Sequence, residues 1–424
     1  MRRVLRVSII LFALLLTALT GVQFVRSHSA GPLDRTDAEV VADALPRLAF
    51  LREALDSGSA DRMQQLFPEG YFFSYALYGL TWVEVGARDT APRERALAEA
   101  RWALAHLDSD AGRAGFSASL DPPYGVFYQG WATWLRGGVA ALAGPGAPEL
   151  PRLRADAGAL AAAFERKLSG SGSPFLTAYP GQAWPCDSVV GLAAVHRADG
   201  LTGADHGPLV RSWLAAADSR RDPGTGLLPH TVDAGSGQPT DLARATSQVI
   251  ILRFLAELDP ARGAADWTVF RQRFASTVPG IPGVREYPVG TDRAGDVDSG
   301  PLVLGLSTSA SAVALGDAVL YRDAPAAAAL TGLAEAAGLP VQWQGRRRYL
   351  GGALPVGDAF LAWSLATRPG VVTAEGDGPS WTWRLPWYAL VLAVLPPWWI
   401  VAAILARPRP KLSERRVAPT TASH

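Results

Sequence analysis

Trp184-Pro185-Cys186-Asp187-Ser188-Val189-Val190-Gly191-Leu192-Ala193-Ala194-Val195 joins an aromatic, acidic lead-in to a run of small apolar residues. The same arrangement recurs six times. The other lead-ins are Glu69-Gly70-Tyr71, Pro122-Pro123-Tyr124, Thr240-Asp241-Leu242, Asp296-Val297-Asp298-Ser299 and Gly357-Asp358, at intervals of roughly 55–60 residues. A period of that length matches a helical hairpin, with one inner and one outer helix per unit. Six such hairpins closing in a ring would gather all six lead-ins at one mouth.

Working outward, the predicted inner helices cover residues 71–86, 124–143, 186–198, 243–258, 303–321 and 357–367. The outer set covers 92–108, 150–168, 205–218, 264–276 and 325–337, and an amphipathic stretch from Thr36 to Leu55 supplies the sixth partner. Residues 93–107 place Ala96, Leu97, Ala100, Leu104 and Leu107 on one face, as a helix with a solvated back requires. Residues 302–320 are small or apolar on nearly every face and read as a buried helix. Gly226 to Val232 and Gln342 to Leu350 allow short hairpins at most, and Gly170-Ser171-Gly172-Ser173 reads as a flexible link. The expected fold is all-α, an (α/α)6 toroid of hairpins. An open superhelix of helix pairs is the rival.

Both ends carry membrane-like segments. Val7 to Val25 is apolar behind Arg2, Arg3 and Arg6; Leu385 to Ala406 is followed by Arg407, Arg409, Lys411, Arg415 and Arg416. Each is long enough to cross a hydrocarbon core of about 30 Å, with Trp381, Trp383, Trp387 and Tyr388 as an interfacial belt. Pro396-Pro397 is expected to kink or divide the second helix. The expected organisation is an anchor or signal-anchor at 1–30, an extracytoplasmic domain at 31–375, a transmembrane segment at 376–406 and a basic tail at 407–424. Positive flanks put both termini in the cytoplasm. The alternative for the first segment is a signal peptide cleaved near Ser27-His28-Ser29-Ala30.

A net charge of +1 over 424 residues gives no basis for a nucleic-acid partner. The absence of Asn, the use of Arg for all basic residues but Lys167 and Lys411, and abundant Ala read as a GC-rich bacterial genome, hence a bacterial cytoplasmic membrane. Cys186 is the only cysteine, so no intramolecular disulfide forms. The six His are scattered without metal-ligand spacing, so neither a metal nor another cofactor is expected.

Chemistry is expected at the mouth. Asp187 is the leading acid: Pro185 can open a helix, setting Cys186 and Asp187 in its first turn beside Trp184. There an aromatic wall raises a carboxyl pKa and the helix terminus lowers it. Asp298 is the candidate partner in general acid–base catalysis, and His230 a further proton carrier, unless it is a surface loop histidine. Asp241, Asp298 and Asp358 can also be read as N-caps or first-turn acids. Tyr71, Tyr75, Tyr124, Tyr128, Gln182, Trp184, Asp241, Arg244 and Gln248 would line a site for an uncharged polyhydroxylated ligand.

The hairpin recurrence over residues 36–370, with Gly181-Gln182-Ala183-Trp184 leading to Asp187, resembles the six-hairpin (α/α)-toroid superfamily of glycoside hydrolases and polysaccharide lyases. That resemblance implies a mouth that binds sugar chains, such as an envelope glycan, with Asp187 and Asp298 doing the acid–base work. Cys186-Asp187 also resembles the Cys–acid pair of linalool dehydratase/isomerase-like membrane proteins, although the second cysteine of that family is missing here. It implies a lyase acting on an alkenol through Cys186 and Asp187. A third expectation is a non-catalytic module that binds an envelope glycan or a protein.

Overall fold

The computed structural model describes residues 2–374 and 381–406. It is mostly helical, 65% of the chain, with only short strands. The basic stretch 407–424, expected as a cytoplasmic tail, lies outside the described residues.

The helices in chain order are α1 (Arg2–Ser27), α2 (Asp37–Asp56), α3 (Ser59–Gln64), α4 (Gly70–Arg88), α5 (Arg93–Leu107), α6 (Asp110–Arg113), α7 (Gly125–Ala143) and α8 (Leu150–Ser171). They continue as α9 (Pro185–Thr202), α10 (Gly207–Asp218), α11 (Ala245–Leu258), α12 (Pro260–Phe274), α13 (Thr308–Leu320), α14 (Ala324–Ala337), α15 (Pro355–Leu365) and α16 (Leu385–Ala406). Local signals explain many of the boundaries. Thr36 and Glu39 form a reciprocal capping box on α2. Pro185 occupies the first turn of α9, whose end is closed by Gly203 at φ +72°. Asp259 and Asp323 cap α12 and α14.

The chain divides into two units, one of residues 2–25 with 384–406, the other of residues 26–383. In the first, α1 and α16 lie side by side: Phe12 meets Trp398 at 4.7 Å, Phe24 meets Tyr388 at 5.6 Å, and Trp399 Nε1 donates to Thr17 Oγ1 at 2.9 Å. Val7–Ser27 and Trp381–Leu405 are long and apolar enough to cross a membrane. Pro396 and Pro397 lie inside a continuous α16, so the expected division of that helix does not occur. The two missing amide donors sit together within a single turn and leave the flanking turns intact.

In the larger unit α4 packs on α7, α7 on α9, α9 on α11, α11 on α13, α13 on α15, and α15 returns to α4. These six helices are the most buried. Behind them, α5 packs on α4 and α7, α8 on α7 and α9, α12 on α11, α14 on α13, and α2 on α4 and α15. Trp131 joins several of the six, meeting Phe254 at 5.1 Å, Phe73 at 5.3 Å and Trp363 at 5.9 Å, all edge-on. Each such pair contributes roughly 0.5–1.5 kcal/mol beyond its buried area.

Two segments depart from expectation. Residues 303–307 are not helical: β4 (Leu302–Val303) and β5 (Leu306–Ser307) flank Leu304-Gly305, both at positive φ (54° and 79°). Positive φ at both loop positions is the type I′ signature, and it delays α13 until Ser307 caps it. β5 also pairs with β3 (Val284–Arg285), giving the order β3-β5-β4. Gly170 and Ser171 are not a flexible link but the last turn of α8, closed by Gly172 at φ +69°. Near Gly226, β2 (Val232–Asp233) pairs with β1 (Gln182–Ala183), and Val232 also bridges Pro239, so the local hairpin turns after Asp233 rather than within 226–232. β6 (Val341–Trp343) and β7 (Arg346–Arg348) do form the hairpin expected there.

The closest helix contact is between α7 and α9. A Cβ at Gly130 would lie 2.9 Å from the backbone nitrogen of Gly191, and one at Gly191 would lie 2.8 Å from Val126 Cγ2. Gly158, inside α8, has open space around it. Gly130→Ala is therefore expected to destabilise the domain by about 1–3 kcal/mol. Gly158→Ala should stabilise it by about 0.5–1 kcal/mol through helix propensity. Denaturant unfolding of the detergent-solubilised variants checks both signs.

Candidate functional site

Asp187 occupies the first turn of α9, as Pro185 predicts, and its side chain is buried at 6% exposure. Cys186 Sγ lies 3.7 Å from Asp187 Oδ1, close enough for the thiol to donate to the carboxyl. Burial raises the Asp187 pKa well above the carboxylate range, and the nearby charges of Glu69 and Asp298 raise it further. The competition between apolar wall and helix terminus is thus settled for the wall. Burial also raises the Cys186 thiol, with Asp187 and Asp298 adding to the effect.

Three lead-ins contribute to this acid cluster. Glu69, immediately before α4, accepts a short hydrogen bond from the Tyr179 hydroxyl. Burial raises the Glu69 pKa, opposed by that bond and assisted by Asp298. Tyr179, on the loop before β1, is raised by burial and then by Glu69, Asp187 and Asp298. Its ring meets Trp184 edge-on at 5.9 Å. Asp298 is exposed, and its carboxyl is raised by the surrounding protein and then by Asp296.

A second group adjoins the first. Arg244, the residue before α11, is buried at 4% exposure and bonds Glu286 Oε1 at 2.9 Å and Asp296 Oδ2 at 2.6 Å. Although burial opposes its charge, Asp296 and Glu286 hold Arg244 above its ordinary value. Asp296 Oδ1 accepts from the amides of Asp298 and Ser299, both at 3.1 Å. Against the cost of burial, Arg244 and the Ser299 amide bring Asp296 down to about 2. His230 is buried at 5% exposure, its Nδ1 2.6 Å from Ser247 Oγ. Burial, then Arg244, lowers its pKa to about 4, so the ring is neutral at ordinary pH. Asp298 connects the two groups: its amide donates to Asp296 Oδ1, and its charge acts on Asp187.

No family model and no curated protein matches this chain.

The structure therefore brings together Cys186, Asp187, His230, Arg244 and Asp298, and adds Glu69, Tyr179, Ser247, Glu286 and Asp296. Tyr71, Tyr124 and Trp184 are half-buried, and Gln182 is exposed on β1. Tyr75 is instead stacked on His106 at 4.2 Å inside the α4–α5 packing. Tyr128 is buried, its hydroxyl donating to the Leu107 carbonyl at 3.0 Å and accepting from Arg113. Gln248 is buried and donates to the Leu228 carbonyl at 2.6 Å. These three side chains have structural partners that the helical spacing does not reveal. Asp241 is half-buried, 3.3 Å from Arg293 Nη1.

The reading as caps or first-turn acids holds for Asp358 and fails for Asp241 and Asp298. Asp241 precedes the residue that opens α11, and Asp298 is separated from α13 by β4 and β5. Asp358 is in the first turn of α15, but it accepts from the amide of Tyr349 at 2.8 Å rather than from its own helix. His230 is no surface histidine. The expected lack of a metal constellation also needs revision: ligand atoms of His230, Asp296 and Asp298 lie within 4.8 Å of one another. Their 68-residue spread in sequence hid the grouping, since residues at this distance meet only through the fold.

Asp358 stands apart from both groups. Burial raises it to about 7, with the Tyr349 amide, Arg47 and Arg348 opposing. Its folded pKa lies above the ordinary 3.8, so the native state binds the extra proton. That contribution to stability is full below about 3.8 and is lost as pH rises through about 7. Asp358→Asn keeps an acceptor for Tyr349 and removes the titration. Relative to wild type it should gain on the order of a few kcal/mol between pH 4 and pH 8. Unfolding curves at the two pH values measure the difference.

Proposed function

We propose that the chain is a membrane-anchored enzyme that hydrolyses glycosidic bonds by general acid–base catalysis, with Asp187 as the acid and Asp298 as its partner. The observation that carries this reading is the buried Asp187, its pKa raised by burial and by the neighbouring charges of Glu69 and Asp298. A carboxylic acid kept neutral near pH 7 can give its proton to a departing glycosidic oxygen. Asp298, exposed to solvent, takes a proton from the attacking water or attacks the anomeric carbon itself; the carboxyl separation in the substrate complex selects between the two. Either way one water is consumed and one bond is cut. The half-buried rings of Tyr71, Tyr124 and Trp184 suit stacking against sugar faces.

In this reading the larger unit is an (α/α)6 toroid. Support comes from the succession of contacts from α4 through α15 and back to α4, and from the association of lead-in residues preceding α4, α9, α11 and α13. The terminal helices anchor it to a bacterial cytoplasmic membrane, with the domain outside and both termini inside. The flanking arginines support that orientation.

A second reading, a thiol-dependent lyase acting on an alcohol, is favoured by the contact between Cys186 and Asp187. Assaying the purified protein on a panel of envelope glycans, with released reducing ends as readout, separates the two. Asp187→Asn should lower turnover roughly 10²–10⁴-fold, as loss of a general acid does. Cys186→Ser should stay within a few-fold of wild type. Loss of glycan cleavage in Cys186→Ser would shift the assignment to thiol chemistry, and a wild type that cleaves no glycan would end the hydrolase reading.

Topology has its own test. Reporter fusions after His424 and near Gly170 should report cytoplasmic and extracytoplasmic positions respectively. An extracytoplasmic C-terminus would overturn the two-anchor arrangement.

A further inference from the structure

His230, Asp296 and Asp298 offer one nitrogen and two carboxylate oxygens that lie within 4.8 Å of one another. We propose that these three side chains form a binding site for a divalent cation of the Zn²⁺ class. An imidazole with two carboxylates is the ligand mixture such a borderline ion accepts, and three protein ligands leave a position open for water or a substrate hydroxyl.

Each ligand is positioned by a partner of its own. His230 Nδ1 is held 2.6 Å from Ser247 Oγ, and with Nδ1–H donating to that hydroxyl, Nε2 keeps its lone pair for the ion. A hydrogen bond on the far nitrogen is the usual device that orients a metal-binding imidazole. Asp296 is fixed through Oδ1 by two backbone amides and through Oδ2 by Arg244. The Asp298 carboxylate accepts no hydrogen bond among the described residues, although the Ser309 hydroxyl donates to its backbone carbonyl at 3.1 Å, and the exposed carboxylate is free to close on an ion.

The neighbouring charges favour a cation despite Arg244. Four carboxylates, of Asp241, Glu286, Asp296 and Asp298, surround two guanidinium groups, of Arg244 and Arg293. A second observation also points to a ligand here. Arg244 is 4% exposed, and its Nη2 is buried without a hydrogen-bond partner among the described residues. A donor left unpaired at that depth is costly unless an acceptor meets it. An oxygen bound beside Asp296 would do so.

This inference rests on the geometry of the three side chains and not on the hydrolase reading, although Asp298 belongs to both. The test is metal binding itself. The full chain, without a polyhistidine tag, is purified in detergent and stripped with a chelator. It is then titrated with ZnCl₂ by calorimetry, and bound metal is counted by mass spectrometry after dialysis. One equivalent is expected in wild type and in Glu94→Gln, an exposed acid in the first turn of α5. In Asp298→Asn and His230→Gln the affinity should drop roughly tenfold or more. Because Asp298 is exposed, its variant should fold even where His230→Gln fails, and thermal melts without metal verify this. Absence of a stoichiometric ion in wild type, or equal binding by Asp298→Asn, would overturn the site. Stoichiometric binding without glycan cleavage would keep the site and discard the hydrolase.

Discussion

The approach of α7 to α9 sets the frame for everything near Asp187. Two glycines, Gly130 and Gly191, remove the side chains that would hold these helices apart, and the backbones close until a single Cβ would collide. Residues four apart share a helix face, so Asp187 lies one turn before Gly191 on the face that α9 turns toward α7. Helical side chains lean toward the N-terminus, which carries the Asp187 carboxyl to the end of that contact. That close approach fixes the helix that carries the carboxyl, and Cys186, Glu69 and Asp298 surround the carboxyl itself.

Around that frame the acids divide into two electrostatic classes. Glu69, Asp187 and Asp298 lack a direct cationic partner; burial and the neighbouring acids raise Glu69 and Asp187, and the surrounding protein and Asp296 raise Asp298. Asp296 has Arg244 and two amides, and it stays ionised down to about pH 2. Glu286 also holds Arg244 but is so deeply buried that its pKa is raised nonetheless. One arginine therefore separates a proton-holding group from a charge-holding one over a short distance. That contrast between neighbouring carboxyls is what acid–base enzymes use to assign donor and acceptor.

The sequence makes some of this legible and hides the rest for definable reasons. Proline and acid at Pro185 and Asp187, and apolar periodicity behind them, place α9 and its first turn because those signals are local. α4, α7, α11 and α15 follow the same logic. α13 is overestimated because Leu304 and Gly305 adopt positive φ, which an apolar run conceals. Glu69 and Tyr179 form their pair across 110 residues, and nothing in either neighbourhood announces the other. The same holds for His230 and Asp298. Tyr75 and Tyr128 show the converse error. Both stand near lead-ins, but direction around the helix axis decides that their rings and hydroxyls face protein.

Cys186 gives the most restrictive statement about mechanism. Its thiol is buried, borders two acids and is raised above its ordinary value, so it enters any reaction protonated. A cysteine nucleophile needs the opposite setting, an electropositive pocket that favours the thiolate. Here the nearest cationic side chain of the site, Arg244, is already engaged by Glu286 and Asp296. The thiol can donate to Asp187, and that places it within the acid cluster of Asp187 and Asp298. Serine can reproduce much of such hydrogen bonding but none of a thiolate's nucleophilicity. The physical setting of Cys186 therefore weighs toward a proton-positioning role, and a lyase built on it would have to work through the neutral thiol.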